Sequence, residues 1–169
     1  MDRVAIVGCG GSGKSTVARR LAAILDAPLT HLDAIYYDEG WRPMPQDEFA
    51  ARQRELVVAP RWIIEGNYAS TLPVRLAAAD TVIFLDLSAA ACLWGIIQRR
   101  LRHGGGQHAG GVYDRITWNF IRYVVGYRRT MRPRVRRLIR EHGPHVDLIV
   151  VTSRRQANRL AAGRPPRAA

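Results

Sequence analysis

Eight consecutive residues, Gly8-Cys9-Gly10-Gly11-Ser12-Gly13-Lys14-Ser15, satisfy the spacing G-x-x-x-x-G-K-[ST]. Each part of that run answers a requirement of polyphosphate. Glycines let successive backbone N–H groups turn inward on phosphate oxygens, and a helix starting at the end of the run adds its positive pole. Lys14 is placed to bridge β- and γ-phosphates, Ser15 offers a hydroxyl to Mg²⁺, and Thr16 follows on the same turn. The implied ligand is ATP with Mg²⁺. Among 26 Lys+Arg the chain carries 25 arginines and one lysine, and that lysine stands at the motif position, where a compact charge on a flexible stem is required. Cys9 reads as a small filler inside the loop.

A Mg²⁺-nucleotide site also calls for a carboxylate that holds a metal-bound water. Glu65 and Asp86 both end apolar runs and both qualify; Gly66 favours Glu65 by allowing close backbone approach, while Asp86 also reads as a helix N-cap. Asp33 follows another apolar run beside aromatics, where a carboxylate orients or deprotonates an acceptor hydroxyl, or else serves as a solvated loop acid. Phosphoryl transfer needs positive charge around the moving group. Arg99, Arg128, Arg129 and Arg132 are the candidates, and with Lys14 and Asp33 they make up the expected catalytic set. His103 and His108 read as polar residues flanking a glycine stretch, without the third ligand a metal would need.

These residues require elements to carry them. Apolar runs at 4–7, 29–32, 62–64, 82–85 and 147–151 predict five strands. Apolar spacing predicts helices from residue 15 to before Pro28, and over 46–58, 89–102, 114–142 and 155–162, with a loop through Tyr36, Tyr37, Gly40 and Trp41. Strands that alternate with helices and are apolar throughout imply an α/β, three-layer sandwich on a parallel sheet, with ligands at the carboxyl ends of the strands. Gly8, Asp33, Glu65 and Asp86 all fall at such ends. One domain is expected over residues 1–162, with an acceptor-side insertion at about 33–60, a glycine-rich lid at about 103–113 and a loose tail at 163–169.

At 169 residues with 47% hydrophobic and 24% charged composition, disordered and fibrous classes are excluded. Two cysteines, Cys9 and Cys92, cannot found a disulfide framework or a zinc ribbon. Neither a secretory leader nor a membrane span is legible, so a soluble, cytoplasmic protein is expected. The net charge of +12 is concentrated: residues 99–140 hold twelve arginines and one acid, Asp114. Such a segment suits a polyanion, whether nucleotide phosphates, nucleic acid or an acidic surface. Trp118, Tyr123 and Tyr127 lie in it at helical spacing, which favours a core role over stacking on bases.

The chain resembles the adenylate-kinase-like small P-loop kinases, and within them those often labelled DNA topology modulation proteins. The resemblance rests on Ile6-Val7-Gly8 through Ser15, His31-Leu32-Asp33 with Trp41, Trp62-Ile63-Ile64-Glu65-Gly66-Asn67-Tyr68, Arg75 with Ala79-Asp80, Ile83-Phe84-Leu85-Asp86, and Arg99-Arg100. It implies a P-loop NTPase fold and an ATP- and Mg²⁺-dependent phosphotransferase acting on a nucleotide, nucleoside or other small molecule. The alternative is a nucleic-acid-associated ATP-binding protein. Residue by residue, it implies Glu65 for the metal, beside Ser15 of the loop, Arg75 for the acceptor, where Asp33 and Tyr68 are also expected, Arg99 for ATP phosphates, residues 104–111 for the lid and 153–155 for the adenine ring. The chain departs from the pattern at Glu65, where Asp is commoner, at Gly95, where an arginine is frequent, at Ser88, where proline is frequent, and in lacking the threonine-plus-arginine pattern used for AMP.

Overall fold

The computed structural model describes residues 1–38, 40–103 and 116–163. Five parallel strands form its sheet: β1 (Arg3–Gly8), β2 (Leu29–His31), β3 (Trp62–Glu65), β4 (Thr81–Leu85) and β5 (Asp147–Val151). Their spatial order is β2-β3-β1-β4-β5. β3 and β4 are buried at every residue and β1 at all but its first, as their Val, Ile, Leu and Phe content demands of strands covered on both faces. Among the described residues seven helices surround them: α1 (Lys14–Leu25), α2 (Leu32–Tyr36), α3 (Gln46–Leu56), α4 (Leu72–Ala78), α5 (Ala89–His103), α6 (Trp118–His142) and α7 (Arg154–Leu160). The expected five-stranded α/β sheet is therefore present, and its register sets Ile6 beside Glu65, His31 beside Glu65, and Gly8 beside Leu85. That pairing gathers the ends of β1, β2, β3 and β4.

Local sequence explains most element ends. In α1, Val17, Ala18 and Leu21 form the buried stripe, and the helix stops at Asp26 in the left-handed region, two residues before Pro28. Thr117 Oγ1 accepts from the Phe120 N–H and caps α6, which runs through Pro133 in its interior. That proline removes one helical donor, and the helix continues on the packing of Val124, Tyr127, Val135 and Ile139.

Two expectations are corrected. Residues 32–36, expected as strand end and loop, form α2, so Asp33 stands in the first turn of a helix. A helix absent from the sequence reading, α4, follows β3; it begins with Pro73 in its first turn and buries Leu72, Arg75 and Leu76. Seven residues with one turn of apolar spacing are too short for periodicity to announce. The expected lid lies, apart from His103, outside the described residues, as do His108, Asp114 and the tail beyond Gly163. Among the described residues, no helix is long and apolar enough to cross a membrane.

Candidate nucleotide and acceptor site

The phosphate loop joins β1 to α1. Gly11 and Gly13 adopt φ of 76° and 95°, backbone that side chains other than glycine's reach only with strain. The loop is tightly housed: a Cβ on Gly10 would meet the Phe120 ring at 2.5 Å, and one on Gly11 would meet the Cys92 carbonyl oxygen at 2.2 Å. Lys14 Nζ donates to the Cys9 carbonyl at 3.0 Å, which holds the ammonium over the loop. Cys9 is buried against Cys92, and contact with that thiol, followed by burial, pushes the Cys9 thiol well above its ordinary range. A protonated, buried thiol suits the filler role read from the sequence.

Ser15 Oγ donates to Glu65 Oε1 at 2.8 Å, and His31 Nδ1 lies 2.7 Å from the same oxygen. Burial alone would raise the Glu65 carboxyl. The His31 hydrogen bond, the Lys14 charge and the Ser15 hydroxyl outweigh it and hold the group below the usual glutamate range. An ionised carboxylate in hydrogen-bond contact with the motif hydroxyl is the donor pair that a Mg²⁺ ion retaining several waters can use. Among the described residues, no three His, Cys, Asp or Glu side chains cluster as a metal cage. A Mg²⁺ brought in on nucleotide phosphates needs no such cage.

Asp33 and Tyr68, assigned to the acceptor side, meet: Tyr68 Oη donates to Asp33 Oδ1 at 2.6 Å. Burial, then the Asp33 charge, push the Tyr68 phenol far above its ordinary range, so it remains a donor to the carboxylate. Tyr36 packs against Tyr68 and Phe49, at centroid distances of 4.9 and 4.7 Å, and so backs Asp33 with an aromatic wall. A groove of about 300 Å³ lies in this segment, lined by residues that include Tyr36, Tyr37, Arg42, Pro43, Met44 and Glu48. It belongs to the acceptor-side segment and not to the phosphate loop.

Arg75, expected on the acceptor side, is engaged by the backbone. It is fully buried, and its guanidinium donates to the backbone carbonyls of Gly66, Asn67 and Tyr68 at 2.7, 3.4 and 3.3 Å. Burial draws the guanidinium below the usual arginine range, with the Glu65 charge acting the other way. From the opposite side α6 grips the same loop: Tyr127 Oη donates to Asn67 Oδ1 at 3.1 Å, and Asn67 Nδ2 donates to Tyr123 Oη at 3.0 Å. The loop carrying Tyr68 is thus set by α4 and α6 together. Tyr127 is only 1% exposed, which removes it from any base-stacking surface; Trp118, at 71%, stands outside the core.

Asp86 does not cap α5, since Ser88 Oγ accepts from the Ala91 N–H in that role. The Asp86 carboxylate is buried and its Oδ2 accepts from Arg132 Nε at 2.7 Å and Arg136 Nη2 at 3.1 Å. Arg132 therefore reaches the strand ends, but its charge is shared with a carboxylate. Arg128 and Arg129 are exposed on α6, Thr16 is exposed on α1, and Arg99 is partly buried on α5. His31, Asn67, Arg136 and Arg154 enter the site's hydrogen-bond network although motif spacing did not single them out. His31 and Asn67 stand in the quoted strand-end motifs and Arg154 in the segment the resemblance gave to the adenine ring, but no signal in the sequence gave the partners they meet.

No protein-family model matches the chain. Over 105 residues it is 32% identical to a shikimate kinase from Rhodococcus jostii strain RHA1, a match that spans 52% of this chain and 61% of that protein. The chain thus covers less than two thirds of that relative's length. Among solved structures, a shikimate kinase from Acinetobacter baumannii in complex with shikimate is similar at a TM-score of 0.64 and 18% identity, over 96% of this chain and 90% of that one. A shikimate kinase from Bacteroides thetaiotaomicron reaches 0.57 at 16% identity, over 96% and 95%. A sugar kinase from Janibacter sp. reaches 0.53 at 16% identity, over 95% and 90%. At such identities the likeness establishes the fold: the chain has the α/β P-loop NTPase fold of small kinases.

Proposed function

We propose that the chain is an ATP- and Mg²⁺-dependent small-molecule kinase that phosphorylates a hydroxyl group. The observation that carries this reading is the pair of polar centres at adjoining strand ends: Lys14 with Ser15–Glu65 at the phosphate loop, and Asp33–Tyr68 at the acceptor segment. In this reading residues 8–16 hold the ATP phosphates, and Ser15 with Glu65 would hold the Mg²⁺, which would supply charge neutralisation to the phosphates. Lys14 stabilises the charge on the migrating phosphoryl. Asp33, oriented by Tyr68, receives the acceptor's hydroxyl proton as the new P–O bond forms and the β–γ bridging P–O bond breaks. Arg99, Arg128, Arg129 and Arg132 are the arginines proposed to add positive charge, and the segment around 103–113 is the proposed lid.

The shikimate and sugar kinases among the similar proteins support an alcohol acceptor, since both names denote enzymes of hydroxyl-bearing substrates. By its motifs the chain resembles the subgroup labelled DNA topology modulation proteins, and a cytoplasmic location is part of the same proposal. The experiment is ADP release measured across shikimate, sugars, nucleosides and nucleotides. Acceptor-dependent ADP release with any hydroxyl compound supports the reading; acceptor-independent ATP hydrolysis throughout, with binding to DNA that weakens steeply with salt, replaces it by the nucleic-acid reading.

A further inference from the structure

Residues 9–12 form the tight turn of the phosphate loop: the Ser12 N–H donates to the Cys9 carbonyl at 3.3 Å, and the third residue, Gly11, is left-handed at φ 76°. In a planar trans peptide the carbonyl points away from the N–H that follows it. With the Ser12 N–H turned into the loop, the Gly11 carbonyl must face outward. There it accepts from Arg154 Nη2 at 3.0 Å, and the same nitrogen donates to the Ala91 carbonyl of α5 at 2.8 Å. One guanidinium nitrogen carries two hydrogens, so both are committed, and α7, α5 and the phosphate loop meet at a single atom.

Gly95, one turn beyond Ala91, makes room for this junction. A Cβ there would stand 2.1 Å from Arg154 Nη2 and 2.2 Å from the Gly11 carbonyl oxygen. The glycine that departs from the family pattern is thus the residue over which the arginine from α7 reaches the loop. We infer that Arg154 is a positioning residue for the phosphate loop, holding the Gly11 carbonyl outward and thereby keeping the turn in the conformation that receives polyphosphate. The inference rests on the reading of residues 8–15 as a phosphate cradle. It moves Arg154 from the adenine side, where the resemblance put residues 153–155, to the back of the loop.

The test is calorimetric titration of the full chain with MgATP and with inorganic tripolyphosphate, which has phosphates and no adenine. Arg154→Ala is expected to weaken both ligands by the same factor, about tenfold or more, the scale of hydrogen bonds from a charged donor. Arg154→Lys should recover part of the loss, because an ammonium can also donate to two carbonyls. Gly95→Ala, whose Cβ would press on the Gly11 carbonyl as well as on Arg154, should also weaken both ligands; Arg154→Lys, with a smaller and equal loss for both, decides the matter if Arg154→Ala does not fold. Arg159→Ala, on the exposed face of α7, controls for charge and should leave both affinities unchanged. Loss of ATP affinity with tripolyphosphate unaffected would make Arg154 an adenine contact, and unchanged affinity for both would make it a plain packing residue; either overturns the inference. A wild-type chain that binds neither probe overturns the cradle reading, and the inference with it.

Discussion

Lys14 and Asp33 are polar groups whose protein contacts are few and whose proposed chemistry is specific. The Lys14 ammonium bonds the Cys9 carbonyl, and its aliphatic stem is not part of the buried core. Lys14→Ala is therefore expected to remove three or more decades of acceptor-dependent turnover while shifting the thermal midpoint by only a few degrees, about what loss of one half-buried hydrogen bond allows. Turnover near wild type in the folded variant would remove the kinase reading. Asp33 is exposed and receives the Tyr68 hydroxyl. In Asp33→Asn, with the acceptor found by screening, kcat should fall by about two decades or more while the KM for ATP stays put, because the phosphate loop is untouched. A rise in the KM for the acceptor with kcat unchanged would assign Asp33 to binding instead of proton transfer.

Two helices of very different length do much of the positioning. α4 delivers Arg75 to three consecutive carbonyls, and α6 delivers Tyr123 and Tyr127 to Asn67 between them. Without the guanidinium, the buried Gly66 carbonyl loses its donor at a cost of about 1–3 kcal/mol, and the half-buried Asn67 and Tyr68 carbonyls lose theirs at a smaller one. Arg75→Ala should accordingly lower unfolding stability by about 3 kcal/mol or more in denaturant titration and shift the midpoint with it. Arg75→Lys, with one ammonium for three carbonyls, should recover only part. A stability loss below about 1 kcal/mol would mean that α6 alone holds the loop.

Across the whole molecule, the site couples to folding through Glu65. Its carboxyl is held below the ordinary glutamate range in the folded chain, so it binds its proton less tightly there than in the unfolded chain. Unfolding then takes up a proton as the pH falls, and the stabilisation, complete above the unfolded value of about 4.3, is lost as the pH drops from there through the folded value. Melting curves between pH 7 and pH 3 should show a steeper loss of midpoint for the wild type than for Glu65→Gln, which has no proton to gain. Parallel curves would show that Glu65 is not held ionised by His31, Lys14 and Ser15.

Much of the architecture and half of the site could be read along the chain, because their causes are local. A glycine run with Lys14 and Ser15 between an apolar run and a helical stripe is contiguous, and its geometry follows from φ freedom and helix polarity. Runs of Val, Ile and Leu that are apolar throughout belong to a parallel sheet covered on both faces, and all five expected strands are present. The pairings across the sheet are another matter. Glu65 over Asp86 at Ser15, Arg132 on Asp86, Arg75 on a loop carbonyl instead of a ligand, and Arg154 on Gly11 each join residues between 7 and 143 positions apart. Their partners are chosen by strand register and helix packing, and an arginine's reach and a carboxylate's charge are the same in the sequence whichever partner it meets. The helical start at Leu32 and the seven-residue α4 were hidden for a related reason: both are too short for a period to show, and both are stabilised by the core they pack against.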